Sequence, residues 1–297
     1  MGEIAAVATA LIWAVSSIFH TFAGRRVGAP VLNRLRLVFA VIWISVMHWI
    51  LQGQPFPLNA EPERWLWLGL SGIVGLVLGD LFLFQGFVLI GPRLTTLIMS
   101  GAPMLGVVLA WLLLGEELRA GQIFGIALTL VGIGIVVLER SANTNGGAAT
   151  RRDYVLGLLA AFGGAVGQAG GLTLSKLGLS DGFPSISGVS VRMIVAMVSL
   201  WLVSILMGKA GETIRATKDR RALGMIVIGS ILGPFVGVWL SLISVQLSPV
   251  GVASTLQSLN PIFLLPIGQW VFSEKISSRA VIGTLVSLAG VGALFLL

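Results

Sequence analysis

The sequence predicts an all-α polytopic membrane protein of ten transmembrane helices, arranged as two inverted repeats of five. Three observations predict it. Hydrophobic residues make up 56% of the 297 and charged residues only 10%, whereas a soluble domain carries about 25% charged residues because its surface faces water. The apolar residues fall into ten runs, each near the ~20 residues that cross a bilayer core as a helix. The second half of the chain also repeats Gly, Pro and Glu positions of the first at a constant offset.

The runs lie at about 3–23, 31–51, 66–90, 94–114, 121–138, 154–175, 184–207, 222–246, 250–272 and 279–297. Met1, Gly2 and Glu3 give the first run no basic leader, and Arg25 and Arg26 follow it, so it reads as a retained span. Turn chemistry or charge separates the others: Gly28-Ala29-Pro30, Gln52 to Arg64, Gly91-Pro92-Arg93, Gly115-Glu116-Glu117 and Ser248-Pro249. Glu139 to Asp153 is rich in Ser, Asn, Thr and Gly and reads as a flexible linker. The expected organisation is a first five-helix repeat at 1–138, a linker at 139–153 and a second repeat at 154–297.

A shift of 158 places Gly75 on Gly233, Gly79 on Gly237, Ser100 on Ser258, Pro103 on Pro261, Glu116 on Glu274 and Gly132 on Gly290. A shift of 156 brings Arg36 onto Arg192. These residue types are the hardest to match by apolar composition alone. An odd number of spans per half starts the second half on the opposite membrane face, so the repeats are inverted. Inverted repeats around a midplane site are a recurring transporter architecture.

Several function classes drop out. The chain has no cysteine, which excludes disulfides, thiolate chemistry and Cys-based zinc sites. The net charge of +7 does not mark a nucleic-acid binder, because the basic residues sit in short loops without a basic, aromatic-interleaved stripe. Loops after odd-numbered spans hold thirteen Lys and Arg, from Arg25 and Arg26 to Lys275 and Arg279, against Arg64, Arg119 and Lys176 on the other side. The positive-inside rule puts the rich side in the cytoplasm and both termini outside. The plasma (inner) membrane is the expected location. No phosphate-cradling nucleotide loop is present, so energy would come from gradients or exchange. No cofactor or metal is expected.

The segment from Gly79-Asp80 through Pro103 to Gly115-Glu116-Glu117-Leu118, with Gly125, Gly132 and Gly134, resembles the EamA family of the drug/metabolite transporter superfamily. Ser254, Pro261, Phe272-Ser273-Glu274-Lys275, Gly283 and Gly290 carry the likeness in the second half, and Arg36 and Arg192 match an Arg in the second helix of each half. The resemblance covers essentially the whole chain. It implies the fold and a transporter of amino acids, metabolites or drugs, in either direction. It also implies cytoplasmic termini, opposite to the charge count.

The candidate residues follow from depth and facing. Asp80 lies about ten residues, roughly 15 Å, inside the third span. A lone carboxylate there is costly unless neutralised or paired. Arg36 enters the second span from the same face and can reach it, either as a structural ion pair or as a substrate-carboxylate or proton-coupled site. Arg192, in the seventh span, either receives an anionic group or bonds backbone carbonyls. Trp13, Ser17 and His20 share one face of the first helix at i, i+4, i+7, as a cavity lining or a helix contact. His48 reads as interfacial. Pro103 and Pro261 are expected to interrupt the fourth and ninth spans and free a carbonyl each, with Ser100, Gln257, Ser258 and Asn260 flanking them. Paired interruptions point to a midplane site. Gly72, Gly75 and Gly79 share a face of the third span and Gly229, Gly233 and Gly237 a face of the eighth, and both sets are expected to let helices approach closely.

The expected function is secondary transport by alternating access, with a small-molecule substrate, the lipid bilayer and a coupling proton as partners, in a monomer or homodimer. A receptor or scaffold and an intramembrane enzyme are the other classes. No serine-protease, HExxH-like or Asp-rich motif supports the enzyme.

Overall fold

A computed structural model of the chain describes residues 1–106, 108, 120–143, 151–180, 182–248, 253, 256–272 and 277–296, and every element among them is helical. Helix α1 (Gly2–Val27) and α2 (Ala29–Gln52) meet at Gly28, whose φ of 82° turns the chain at a single residue. Only glycine adopts that backbone without a steric penalty. Pro30 then opens α2, where a missing N–H costs nothing. Gly91, with φ 81°, and Pro92 make the same junction between α3 (Pro62–Ile90) and α4 (Pro92–Met99).

The remaining elements are α5 (Ala120–Asn143), α6 (Arg151–Gly178), α7 (Ser185–Leu206), a short α8 (Ala210–Ala216), α9 (220–247), α10 (Asn260–Phe272) and α11 (Ser278–Leu296). Two of them change helix type midway. In α3, an α-helix over Pro62–Gly72 loosens to a π-helix over Ile73–Gly79 and returns to α from Asp80. In α9, the α-helix Arg220–Ser230 passes through a π-helix at Ile231–Gly237 before Val238–Leu247. The two π segments are offset by 158 residues, the shift that aligns the two halves of the sequence.

Six helices among the described residues are long and apolar enough to cross a membrane: Gly2–Val27, Ala29–Gln52, Pro62–Ile90, Arg151–Ser175, Ser185–Leu206 and Arg220–Ser244. Ala120–Val136 and Ser278–Ala293 are shorter apolar helices. Their outer surfaces expose large hydrophobic side chains such as Trp49, Ile50, Leu202 and Leu206, which suits lipid as the surrounding solvent.

Packing runs between the halves. Helix α1 lies on α9 and α10, α6 on α3 and α4, α2 on α7, and α5 on α11. One core joins Leu37, Ile44, Leu76, Val189, Met193 and Leu242, from α2, α3, α7 and α9. A second joins Ala23, Leu32, Phe84, Phe87 and Ile226, from α1, α2, α3 and α9.

Helix α5 continues to Asn143 and α6 begins at Arg151, so helix runs into both ends of the segment expected as a linker at 139–153; residues 144–150 lie outside the described residues. Helix propensity does not stop at the edge of an apolar run, and the straight-chain Glu139, Arg140, Arg151 and Arg152 are good helix formers.

The fourth and ninth spans are not interrupted at their prolines. The breaks are turns at Ser100–Gly101 and Ser258–Leu259. There the Gly101 and Leu259 N–H groups reach only three residues back, to Ile98 O at 3.0 Å and Leu256 O at 3.2 Å. Pro103 and Pro261 fall in the first turn of the helical segment that follows, where proline is tolerated. They mark a restart. The rest of the fourth span, and Glu116, Glu117, Ser254, Glu274 and Lys275, lie outside the described residues.

Candidate functional site

Asp80 is the first residue after the π segment of α3, and Arg36 lies one full turn and more inside α2. The Arg36 guanidinium donates through Nη2 to Asp80 Oδ2, and both side chains are buried, at 4% and 11% exposure. The same nitrogen donates to Asn33 Oδ1 at 3.0 Å. Asn33 in turn donates from Nδ2 to the Leu76 and Val77 carbonyls, at 3.0 and 3.3 Å. A π-helix leaves its local carbonyls out of the regular i→i−4 ladder, so Asn33 both steadies that segment and aims the arginine at Asp80.

Phe84, one turn beyond Asp80, lies under the Arg36 guanidinium at 4.9 Å. The His20 ring of α1 meets the other side of the cluster, 5.0 Å from the Phe84 ring. Ser16 Oγ donates to Gly229 O at 3.1 Å and sits 3.3 Å from His20 Nδ1. A hydroxyl has one proton. With that proton spent on Gly229, a neutral His20 donates from Nδ1 to Ser16 and carries its lone pair on Nε2, against Gly229 of α9. His20 Nε2 is buried with no partner among the described residues.

Arg192 enters from α7. It is 6% exposed and forms no ion pair among the described residues. Its Nη2 would stand 3.5 Å from a Cβ placed on Gly75, and its Nε is buried without a partner among the described residues. The structure thus brings together His20, Arg36 and Asp80, with Arg192 against the preceding turns of α3, while Trp13 sits further along α1 against Gly237 of α9.

Trp13, Ser16 and His20 occupy the space that Cβ atoms on Gly237, Gly233 and Gly229 would need. In α3 the matching glycines do something different. A Cβ on Gly79 would stand 3.3 Å from Gly167 Cα and one on Gly75 3.6 Å from Gly171 Cα, so backbone faces backbone across α3 and α6. Close helix approach is therefore borne out in α3, whereas in α9 the glycines make room for side chains.

Ser17 does not line the cluster. Its hydroxyl donates to Ala14 O of its own helix at 2.7 Å, and Ser16 takes the facing position. The remaining candidates mark the two breaks. Ser100 donates to Leu97 O at 2.6 Å, Gln257 bonds Ser244 Oγ at 2.7 Å and Ser241 Oγ at 3.1 Å, Ser258 is buried, and Asn260 Oδ1 is buried without a partner among the described residues. His48, near the end of α2, is enclosed by protein: Nε2 meets Ser187 Oγ at 3.0 Å and Nδ1 meets Gln54 O at 2.5 Å.

Polar ties collect at both ends of the bundle. At one, Arg26 bonds Asp219 at 2.8 Å, and Arg34 bonds Ser204 and the Lys209 carbonyl. The Arg26 bond, helped by the Ala222 and Arg221 N–H groups that Asp219 caps, holds the Asp219 carboxyl below the usual carboxylate range. At the other, Arg64 donates to Ser180 O at 2.9 Å and lies 4.7 Å from the Phe183 ring.

Residues 1–138 and 155–296 match the family model described as the EamA-like transporter family. The chain belongs to that family. The resemblance read from the motifs is borne out. A 74-residue stretch of this EamA-like chain is 39% identical to the probable 4-amino-4-deoxy-L-arabinose-phosphoundecaprenol flippase subunit ArnE of Erwinia tasmaniensis, covering 24% of this chain and 67% of that protein. A solved crystal structure, 19% identical, aligns with a TM-score of 0.64 over 98% of this chain and 95% of its own. That likeness shows a shared fold. Family and long apolar helices together make the chain an integral multi-pass membrane protein of a transporter family.

Proposed function

We propose that this EamA-like protein is a secondary transporter of small metabolites, amino acids or drug-like molecules, working by alternating access between two inverted five-helix repeats. The carrying observation is the buried Arg36–Asp80–Arg192–His20 constellation, which draws side chains from both halves. Buried charge in a membrane protein is expensive, and it belongs on substrate or ion pathways. The cross-half packing and the π segments one repeat apart support the duplicated arrangement. A helix with π geometry has a weaker local ladder, which gives α3 and α9 a place to bend as the halves rock. Asp80 or His20 carries a coupling proton in this scheme.

The test is counterflow of a stabilising ligand into proteoliposomes containing the purified protein. Absence of protein-dependent counterflow for every ligand that stabilises it overturns the transporter reading. Counterflow that survives both Asp80→Asn and His20→Ala overturns proton coupling alone. The basic end is assigned to the cytoplasm, with both termini outside. In this cysteine-free chain, Gln54→Cys is then expected to react with an impermeant maleimide on intact cells and Lys218→Cys to remain protected; the reverse pattern inverts the assignment.

A further inference from the structure

We infer that the central site takes a small molecule carrying one oxyanion, a carboxylate or a singly charged phosphate, and that Arg192 is the residue that holds it. The inference rests on the transporter reading only in calling that molecule a substrate.

Charge accounting comes first. Arg36 is committed to Asp80, with Asn33 and Phe84 beside the pair, although the Arg36 Nε has no partner among the described residues. The His20 tautomer fixed by Ser16 contributes no charge. Arg192 is then one positive charge in excess, 94% removed from solvent by its 6% exposure. A buried guanidinium without a counter-charge is destabilising by several kcal/mol unless something neutralises it. One negative charge makes the cluster neutral.

Its donors make the second argument. Arginines that only tie helices together spend their N–H groups on protein oxygens. Arg34 does so on Pro30 O, Ser204 and Lys209 O, and Arg64 on Glu61, Gly178 O and Ser180 O. Arg192 makes no hydrogen bond among the described residues, and its Nε is an orphan. It lies instead against the α3 backbone, with Nη2 3.5 Å from where a Cβ on Gly75 would stand. A guanidinium presents a planar fork that matches the two oxygens of a carboxylate or phosphate.

The experiment measures thermal unfolding of the purified full-length protein, followed by tryptophan fluorescence, with size-matched probes. Benzoate is compared with benzamide and benzylamine, and dimethyl phosphate with trimethyl phosphate. Nanodiscs of phosphatidylglycerol are compared with phosphatidylcholine discs. The expected result is stabilisation by the oxyanions and not by their neutral or cationic partners. Apparent affinity should fall about tenfold or more in Arg192→Gln, the scale of one charge-assisted fork. It should survive in part in Arg192→Lys and rise in Asp80→Asn, which removes the competing carboxylate.

Stabilisation by soluble oxyanions in both disc types identifies a soluble acid. Stabilisation confined to phosphatidylglycerol discs, and lost with Arg192, identifies a lipid headgroup. If Arg192→Gln fails to fold, the Asp80→Asn gain decides. Equal shifts from benzamide or benzylamine, no shift from any oxyanion, an oxyanion effect unchanged in Arg192→Gln, or a loss in Asp80→Asn overturns the inference. Counterflow of an uncharged or cationic solute without oxyanion binding overturns it while leaving the transporter reading in place. Oxyanion binding without counterflow does the opposite.

Discussion

Replacing Asn33 by alanine removes three hydrogen bonds at once from the interior of the bundle. Two run from its amide to the Leu76 and Val77 carbonyls of the π segment, and the third comes from Arg36. Hydrogen bonds between helices in a membrane average about 0.6 kcal/mol, so the two neutral ones together contribute about 1.2 kcal/mol. The bond from the guanidinium is charge-assisted, about 1.5–3 kcal/mol. Asn33→Ala is therefore expected to destabilise the protein by about 3–4 kcal/mol. The assay is reversible unfolding in mixed micelles titrated with SDS, followed by the fluorescence of the nine tryptophans. A loss smaller than about 0.5 kcal/mol, within the range of an ordinary surface substitution, would refute the claim that Asn33 carries the π carbonyls and orients Arg36.

Ser190→Ala serves as the opposite case in the same assay: its hydroxyl is fully buried without a partner, so the substitution should be neutral or stabilising by up to about 1 kcal/mol, and a clear loss would reveal a bond the structure does not hold. Gly290→Ala places a Cβ 2.8 Å from Gly125 O across the α5–α11 seam; a cost of about 1–3 kcal/mol is expected from overpacking against backbone, and an unchanged SDS midpoint would mean that the seam is looser than drawn. Asp219→Asn preserves a good N-cap and removes only the charge facing Arg26. Because the folded carboxyl titrates below its unfolded value, its stabilisation is present above the usual carboxylate range and is lost as pH falls through the folded value. Wild type should melt above the variant at neutral pH and converge with it in acid; a gap independent of pH would assign the effect to packing.

Much of this was legible in the sequence because run length and offset are global signals. Span positions follow from how far an apolar run extends, and the Gly28 and Gly91 junctions from the residue that permits their backbone. The Asp80–Arg36 pair was legible for another reason: matching depth on neighbouring spans leaves few partners for a carboxylate in lipid. What escaped depends on crossing angle and local helix type. Positions i+3 and i+4 flank the same ridge, so nothing in the sequence distinguishes Ser16 from Ser17 until α9 is laid against α1. The π segments have no residue signature, so the need for Asn33 was invisible, although it sits one turn before Arg36. Pro103 and Pro261 flagged the breaks but not their sites, which fall two to three residues earlier.

The placement of α1 on α9 also governs how the protein can be made. Trp13, Ser16 and His20 find their seats on glycines at 229, 233 and 237, which leave the ribosome roughly 220 residues later, a wait on the order of 10–45 s at the usual rates of synthesis. Until then α1 must lie in the bilayer with its Ser16–His20 face lacking α9, held by α2, α3 and α4. Helix α6, which settles on the already inserted α3 and α4, has no such delay. Neither half is a unit that can finish by itself, and a chain arrested before α9 would present that face to whatever membrane chaperones or proteases survey nascent spans.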